Sequence, residues 1–262
     1  MKGLNLDKGT IAGILLAIGG IVAGLLLEGG NLGQILQPTA AMIVFGGTLG
    51  AVLIQFPLRV VLASFRDLGK ILFVRGEKAQ AVIAQLIQFA NQARRQGIVS
   101  LDAEIDQITE PFLKKALMLA VDGTEPEQLR KMMELELDNQ SEEEERVPQV
   151  FESAGGFSPT IGIIGAVMGL IQVMQHMDKI DEVGRGIAVA FVATIYGVGA
   201  ANLFLLPAAG KLKIRIRQSQ IIREMMLEGV ISILEGMNPR MLEMKLFGFL
   251  AEEDQPPLES AK

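Results

Sequence analysis

Four stretches of this chain run long enough without charge to cross a lipid bilayer: Thr10–Leu27, Thr39–Phe56, Phe157–Met174 and Gly186–Leu206. Each approaches the ~20 residues that a ~30 Å hydrocarbon core demands of a helix. The first follows Lys2 and Lys8, as a secretory signal would, but it is long for a signal core, lacks a clear A-x-A site and is followed closely by a second run. It reads as a retained span. Gly20 and Gly24 in the first span, and Gly46 and Gly50 in the second, give each a small-residue packing face.

Between and after the spans the pattern changes to amphipathic helix. Lys78–Arg95 carries Ala81, Val82, Leu86, Ile87 and Ala93 at helical spacing. Ser100 suits an N-cap, with Asp102 and Glu104 in the first turn that follows. Thr124 and Glu127 form a capping-box pattern around Pro126, opening a helix through Leu129, Met132, Met133 and Leu137. Pro148 suits the first turn of a helix entering the third span. The tail predicts a helix over Lys211–Glu235, a break at Gly236-Met237-Asn238-Pro239, a shorter helix to Leu250 and a disordered end, Glu252–Lys262.

Charge orients the spans. Arg59, Arg66, Lys70, Arg75, Lys78, Arg94, Arg95, Lys114 and Lys115 lie between spans two and three, and Lys211, Lys213, Arg215 and Arg217 follow span four. The short loops Glu28–Gln37 and Gln175–Arg185 hold only Lys179 and Arg185. The positive-inside rule therefore puts both termini and the middle segment in the cytoplasm. The expected architecture is an all-α membrane protein with four transmembrane helices, a helical cytoplasmic domain between spans two and three, and a helical C-terminal tail. Its divisions are a first hairpin over 1–57, the cytoplasmic domain over 58–150, a second hairpin over 151–209 and the tail over 210–262.

The second hairpin carries the most information. Pro159 opens its first leg and Pro207 closes its second, so an antiparallel pairing predicts both prolines at one depth, each a potential bend. Gly162, Gly165, Ala166 and Gly169 share one side of the first leg; Ala190, Thr194, Gly197 and Ala201 share one side of the second. Such stripes serve either close helix packing or the lining of a narrow path. Two prolines at one level favour a moving, pore-lining hairpin.

Composition agrees and narrows the chemistry. Half of the 262 residues are apolar, mean hydropathy is positive and the net charge is −6. Nothing in the sequence suggests nucleic-acid binding. There is no cysteine, and the one histidine, His176, falls in a short loop. No phosphate loop, nucleophile triad or metal-ligand spacing is present, so neither an enzyme nor a cofactor is expected. No carboxylate, lysine or arginine lies within a span, where ion coupling usually shows itself. If the chain conducts ions, another chain must supply the titrating group. Thr194 then either offers its hydroxyl to water or an ion, or bonds its own helix backbone.

The residues now carry a family resemblance, nearly end to end. They are Leu36-Gln37-Pro38-Thr39-Ala40-Ala41, Val44-Phe45-Gly46-Gly47-Thr48-Leu49-Gly50-Ala51, the block Gly162–Gly169, and the block Ala188–Asn202 with Pro207. Glu228-Gly229-Val230-Ile231, Ile233-Leu234-Glu235-Gly236 and Asn238-Pro239 complete the set. The chain resembles the MotA/PomA subunit of the bacterial flagellar stator, in the wider group that includes TolQ and ExbB. The resemblance implies an inner-membrane ring of five such chains around two copies of a MotB/PomB-type peptidoglycan-binding subunit, whose single membrane helix brings an ion-accepting aspartate. Ion flow past that aspartate would turn the ring against a FliG-type switch-ring protein of the rotor.

By the same resemblance, Pro159 and Pro207 match the two prolines that couple ion flow to movement, and Arg94 the arginine that meets the rotor. Asp102 takes the place of a glutamate, one methylene shorter; it also reads as a simple helix N-terminal carboxylate. Sodium-type members tend to carry a threonine in the third span and a Thr-Thr pair in the fourth. Here Ala166 and Ala193-Thr194 stand in those blocks, which favours H+ over Na+ as the transported ion. The rival reading is a TolQ/ExbB-type proton-driven energiser of an outer-membrane system, against which four spans and this tail weigh. A structural scaffold without conductance is a further reading; a secondary transporter should show internal repeats and its own coupling charge, and neither is present.

Overall fold

The computed structural model describes residues 5–74 and 79–250. Arg75, Lys78 and the end read as disordered, 252–262, lie outside the described residues. Apart from a two-residue pairing of Asn5–Leu6 with Phe73–Val74, the described elements are helical. They are α1 (Lys8–Leu27), α2 (Pro38–Gln55), α3 (Leu58–Leu72), α4 (Ala79–Gln96), α5 (Asp102–Ile105), α6 (Pro111–Val121), α7 (Pro126–Gln175), α8 (Ile180–Leu234) and α9 (Pro239–Phe247). Four of them, α1, α2, α7 and α8, are long and apolar enough to span a membrane.

Two helices run further than the sequence pattern suggests. The helix that opens at Pro126 and the third span form one 50-residue helix, α7, with Pro148 and Pro159 in its interior. Pro148 is therefore not in a first turn. Likewise the fourth span does not stop at Pro207 but continues into the tail as the 55-residue α8. An interior proline costs about 3 kcal/mol in an exposed helix; Pro148 is buried, and its packing offsets that cost. The turn between α7 and α8 shrinks to residues 176–179, so Asp181, Glu182 and Arg185 lie on the opening turns of α8 rather than in a loop.

The chain divides into two compact units, Met1–Arg75 with Glu144–Ile214, and Gly76–Glu143 with Arg215–Lys262. In the first, α2 packs on α8 through Ala40, Val44, Val189, Val192 and Ala193. A second cluster joins Val52 of α2, Val61 of α3 and Val150 and Ala154 of α7. In contrast, α1 buries no residue. Its N-terminal end is tied down instead: Asp7 Oδ1 accepts from the Thr10 amide at 3.1 Å, and Lys211 Nζ donates to Asp7 Oδ2 and Thr10 Oγ1.

The second unit has an ordinary apolar core. Leu86, Leu101, Phe112, Leu117, Met133, Met225, Ile231 and Leu242 are all at most 1% exposed. Gly229 lets the tail of α8 approach α4, since a β-carbon there would meet Leu86 Cδ1 at 2.6 Å. The predicted break after the tail helix is present. Gly236 takes φ +72°, its amide bonds Ile233 O at 3.0 Å, and the Met237 amide reaches Ser232 O at 2.9 Å, which closes α8 in a left-handed cap. Asn238 then caps α9 by accepting from the Arg240 amide at 3.0 Å. Ser100 is not the cap expected of it. Its hydroxyl donates to Gly97 O at 2.7 Å inside the tight turn Ile98–Leu101, and α5 starts without a side-chain cap.

One polar centre fastens this unit. Glu228 on α8 accepts from Arg130 of α7 at 2.9 Å and from Lys245 of α9, which also donates to Ser232 Oγ at 3.1 Å. Burial works to raise the Glu228 carboxyl, but the hydrogen bonds from Lys245 and Arg130 and their charges outweigh it, so the group sits below its ordinary value of 4.5. A depressed carboxyl contributes stability that is complete above the ordinary value and is lost as pH falls through the lowered one. Glu228→Gln should therefore lower stability at pH 7 by about 1–3 kcal/mol. Thermal melts followed by helicity should also show a smaller loss of stability below pH 4.5 for the variant than for the parent chain.

Candidate functional site

The glycine and alanine stripes of α7 and α8 face each other. A β-carbon at Gly162 would lie 2.9 Å from Ala193 O and 3.2 Å from Gly197 Cα. At Gly169 it would lie 2.7 Å from Gly186 O, and at Gly197 it would lie 2.6 Å from Ser158 O and 3.3 Å from Pro159 Cα. Backbone therefore meets backbone along the hairpin. Within the chain these stripes serve close packing, with Ala166 and Thr194 half-buried beside them. In lipid, where apolar side chains gain little by meeting each other, close approach is what holds helices together.

The same contacts fix the register, and it differs from the expected one. Pro159 lies opposite Gly197, whereas Gly155 takes the Leu206 side chain next to Pro207. The antiparallel pairing thus separates the two prolines by about two helical turns, on the order of 10 Å at ~1.5 Å per residue. They do not share a depth, because the tight glycine contacts set the pairing and the prolines follow it.

Each proline is accommodated in its own way. Ahead of Pro207, residues Ala201–Leu205 form a π-helical turn in which the Leu206 amide bonds Ala201 O, five residues back. The wider turn makes room for a ring that would otherwise collide with the preceding turn. At Pro159 the helix keeps its ordinary winding, and the Thr160 hydroxyl donates to Phe157 O at 2.7 Å. Pro159 is half-buried and Pro207 exposed. A second π-helical turn, Met42–Gly46, lies in α2. It packs on the hairpin, where Ile43 lies 3.3 Å from a β-carbon built at Gly165.

The polar atoms of the spans are few. The Thr194 hydroxyl donates to Ala190 O of its own helix at 3.2 Å, the local use foreseen for it. Asn202 likewise donates to Val198 O at 3.0 Å. Thr48 Oγ1 and Ser158 Oγ are buried with no hydrogen-bond partner. Tyr196 has a role that its sequence context hides. Its hydroxyl donates to Ile35 O at 2.6 Å and accepts from the Gln37 amide at 3.3 Å, while its ring stacks on Phe45 at 5.8 Å. It pins the short turn before Pro38 to α8. The hint in the sequence is that Tyr196 is the only tyrosine, inside a span where most other side chains cannot reach so far.

Arg94 and Asp102 belong to the second unit and are both exposed. Arg94 sits in the last turn of α4 and Asp102 in the first turn of α5, joined by the turn that Gln92 fastens through Ser100 O at 2.9 Å. Neither enters an ion pair among the described residues. No group of His, Asp and Glu suited to a metal is found among the described residues.

These features define a multi-pass helical membrane protein built around a proline-bearing hairpin whose spans carry no carboxylate, lysine or arginine. Residues 104–225 match the MotA/TolQ/ExbB proton channel family, and residues 11–97 match the Motility protein A N-terminal family. Motility protein A of Bacillus subtilis is 37% identical over 95% of this chain and 93% of its own length. Among solved structures, the C. jejuni MotAB chain superposes with a TM-score of 0.90 at 32% identity, covering 97% of this chain and 99% of that one. The corresponding chain of the flagellar MotAB stator complex from Bacillus subtilis gives 0.86 at 36% identity, covering 95% and 98%. The chain belongs to the Motility protein A family. It is accordingly a multi-pass inner-membrane protein of a proton-channel family and not an enzyme.

Because Gly169 meets backbone, Gly169→Val should force α7 and α8 apart at a cost of about 1–3 kcal/mol or more. Gly199→Ala, where a β-carbon meets nothing within 4 Å, should leave the chain's own fold intact. Protease resistance of the chain in isolated membranes separates the two, with loss expected only for the valine variant.

Proposed function

We propose that this chain is the A-type stator subunit of a bacterial flagellar motor, working with a B-type partner whose membrane helix supplies the ion-accepting carboxylate. The observation that carries the reading is the hairpin itself. It has two interior prolines, a π-helical turn against one of them, and no carboxylate, lysine or arginine of its own within the spans. A helix interrupted in this way can change its bend at low cost, while the proton or ion is handled elsewhere. Likeness to MotAB chains over nearly the whole length supports the same reading, and it weighs against the TolQ/ExbB-type energiser.

In this reading five copies surround two B subunits, and both termini and the second unit lie in the cytoplasm, as the lysine and arginine distribution indicates. Arg94 and Asp102, both exposed, are the groups offered to the rotor's switch-ring protein. The chain conducts H+. Ala166 offers no oxygen and Thr194 offers a single side-chain oxygen, whereas sodium needs several oxygens to replace its hydration shell.

Two measurements in cells that rely on this stator alone test the reading. Pro159→Ala and Pro207→Ala should each abolish swimming while membrane abundance stays within about twofold, because alanine restores a regular helix without shortening it. Normal swimming in both variants would remove the basis for a moving hairpin. Swimming speed should also survive replacement of sodium by potassium in matched media and fall with a protonophore. Collapse without sodium would reverse the ion assignment.

A further inference from the structure

We propose that α3 is a lipid-binding helix that lies in the membrane surface and selects anionic phospholipid. Its side chains divide into three strips. Val61 and Ser64, 2% and 1% exposed, face the protein, where Val61 packs with Val52, Val150 and Ala154 at the ends of two spans. The Ser64 hydroxyl donates to Val60 O at 2.8 Å, so this strip asks for no further partner. Leu58, Leu62 and Phe65 form a second strip, 62%, 59% and 58% exposed, with Leu68 beside it at 43%. Exposed Arg59 and Arg66, two turns apart, border the apolar strip on the side away from the protein.

Left in water, these large side chains would keep about half of their apolar surface hydrated, against the hydrophobic effect. Lipid is the cover that the surroundings supply. Helix α3 begins three residues after α2 ends, past an extended Phe56 and Pro57, and it groups with the spans rather than with the second unit. An apolar strip edged by arginines, starting where a span stops, places hydrocarbon against the acyl chains and guanidinium groups among the phosphates. Basic side chains near an anionic surface attract its headgroups, so two of them favour phosphatidylglycerol over a zwitterionic lipid. This assignment does not rest on the stator reading, and its test does not use motility.

The chain has no tryptophan, so Phe65→Trp places a single fluorophore on the strip. The full-length variant is reconstituted in mixed vesicles of phosphatidylcholine and phosphatidylglycerol, with bromine on the acyl chains of one lipid or the other. The proposal expects strong quenching by either, and an enrichment of phosphatidylglycerol of about threefold or more beside the fluorophore. Arg59→Gln with Arg66→Gln should bring the ratio close to one, whereas Arg59→Lys with Arg66→Lys should keep most of it. Raising KCl from about 0.05 to about 0.5 M should erode the ratio in the parent variant, a check that needs no change at the arginines. Leu16→Trp on the exposed face of α1, 77% exposed, should be quenched without lipid preference. Three results would each overturn the proposal: red-shifted emission without quenching, which puts the strip in water; blue-shifted emission without quenching, which puts it against protein; and quenching with no preference for the anionic lipid.

Discussion

Backbone contact between α7 and α8 is the constraint on which the membrane part depends. Gly162, Gly169, Gly186 and Gly197 leave no room for a β-carbon, so the two helices touch through carbonyl oxygens and α-carbons. In lipid this is the effective way to gain van der Waals energy, because leucine against leucine is no better than leucine against an acyl chain. Once that contact is made, the register is fixed, the depth of each proline follows, and α2 is laid against the same ridge through Gly47 and Ile43. A larger residue at any of these contacts displaces the whole arrangement.

A close-packed seam lies beside helices that carry prolines and π-helical turns. The π-helical turn at Ala201–Leu205 and the proline it accommodates lie beyond the Gly162–Gly197 crossing, where α8 continues into the second unit. Pro159 sits on the seam itself, against Gly197. The two prolines thus have different surroundings, one clamped and one exposed. The second unit is built in the opposite manner, around an apolar core and the Glu228 centre.

Chemistry is sparse by design of the sequence. The span hydroxyls and amides described either donate to neighbouring carbonyls, as at Thr194, Thr160 and Asn202, or are buried without partners, as at Thr48 and Ser158. Tyr196 is the exception, since it uses its reach to fasten a turn. A chain of this kind offers shape rather than carboxylates within its spans.

Much of this was legible in the sequence because the governing rules are local. Charge-free runs of span length, the break at Gly236 to Pro239 and the helical pattern of Lys78–Arg95, found as a helix over Ala79–Gln96, each depend on a few neighbouring residues, and each is present. The stripes Gly162–Gly169 and Ala190–Ala201 were visible too, but a stripe does not say what faces it. Only the tertiary structure decided that they face each other, that Pro159 and Pro207 lie two turns apart, and that α7 and α8 continue through prolines that local preference treats as ends. It also decided that α3 has three faces, since the arginines and leucines of 58–68 read alike whether they coat a soluble domain or a membrane surface. The reason is the same in each case. Helix propensity and hydropathy are properties of a segment, whereas register, exposure and the tolerance of a proline are set by which surface the segment meets.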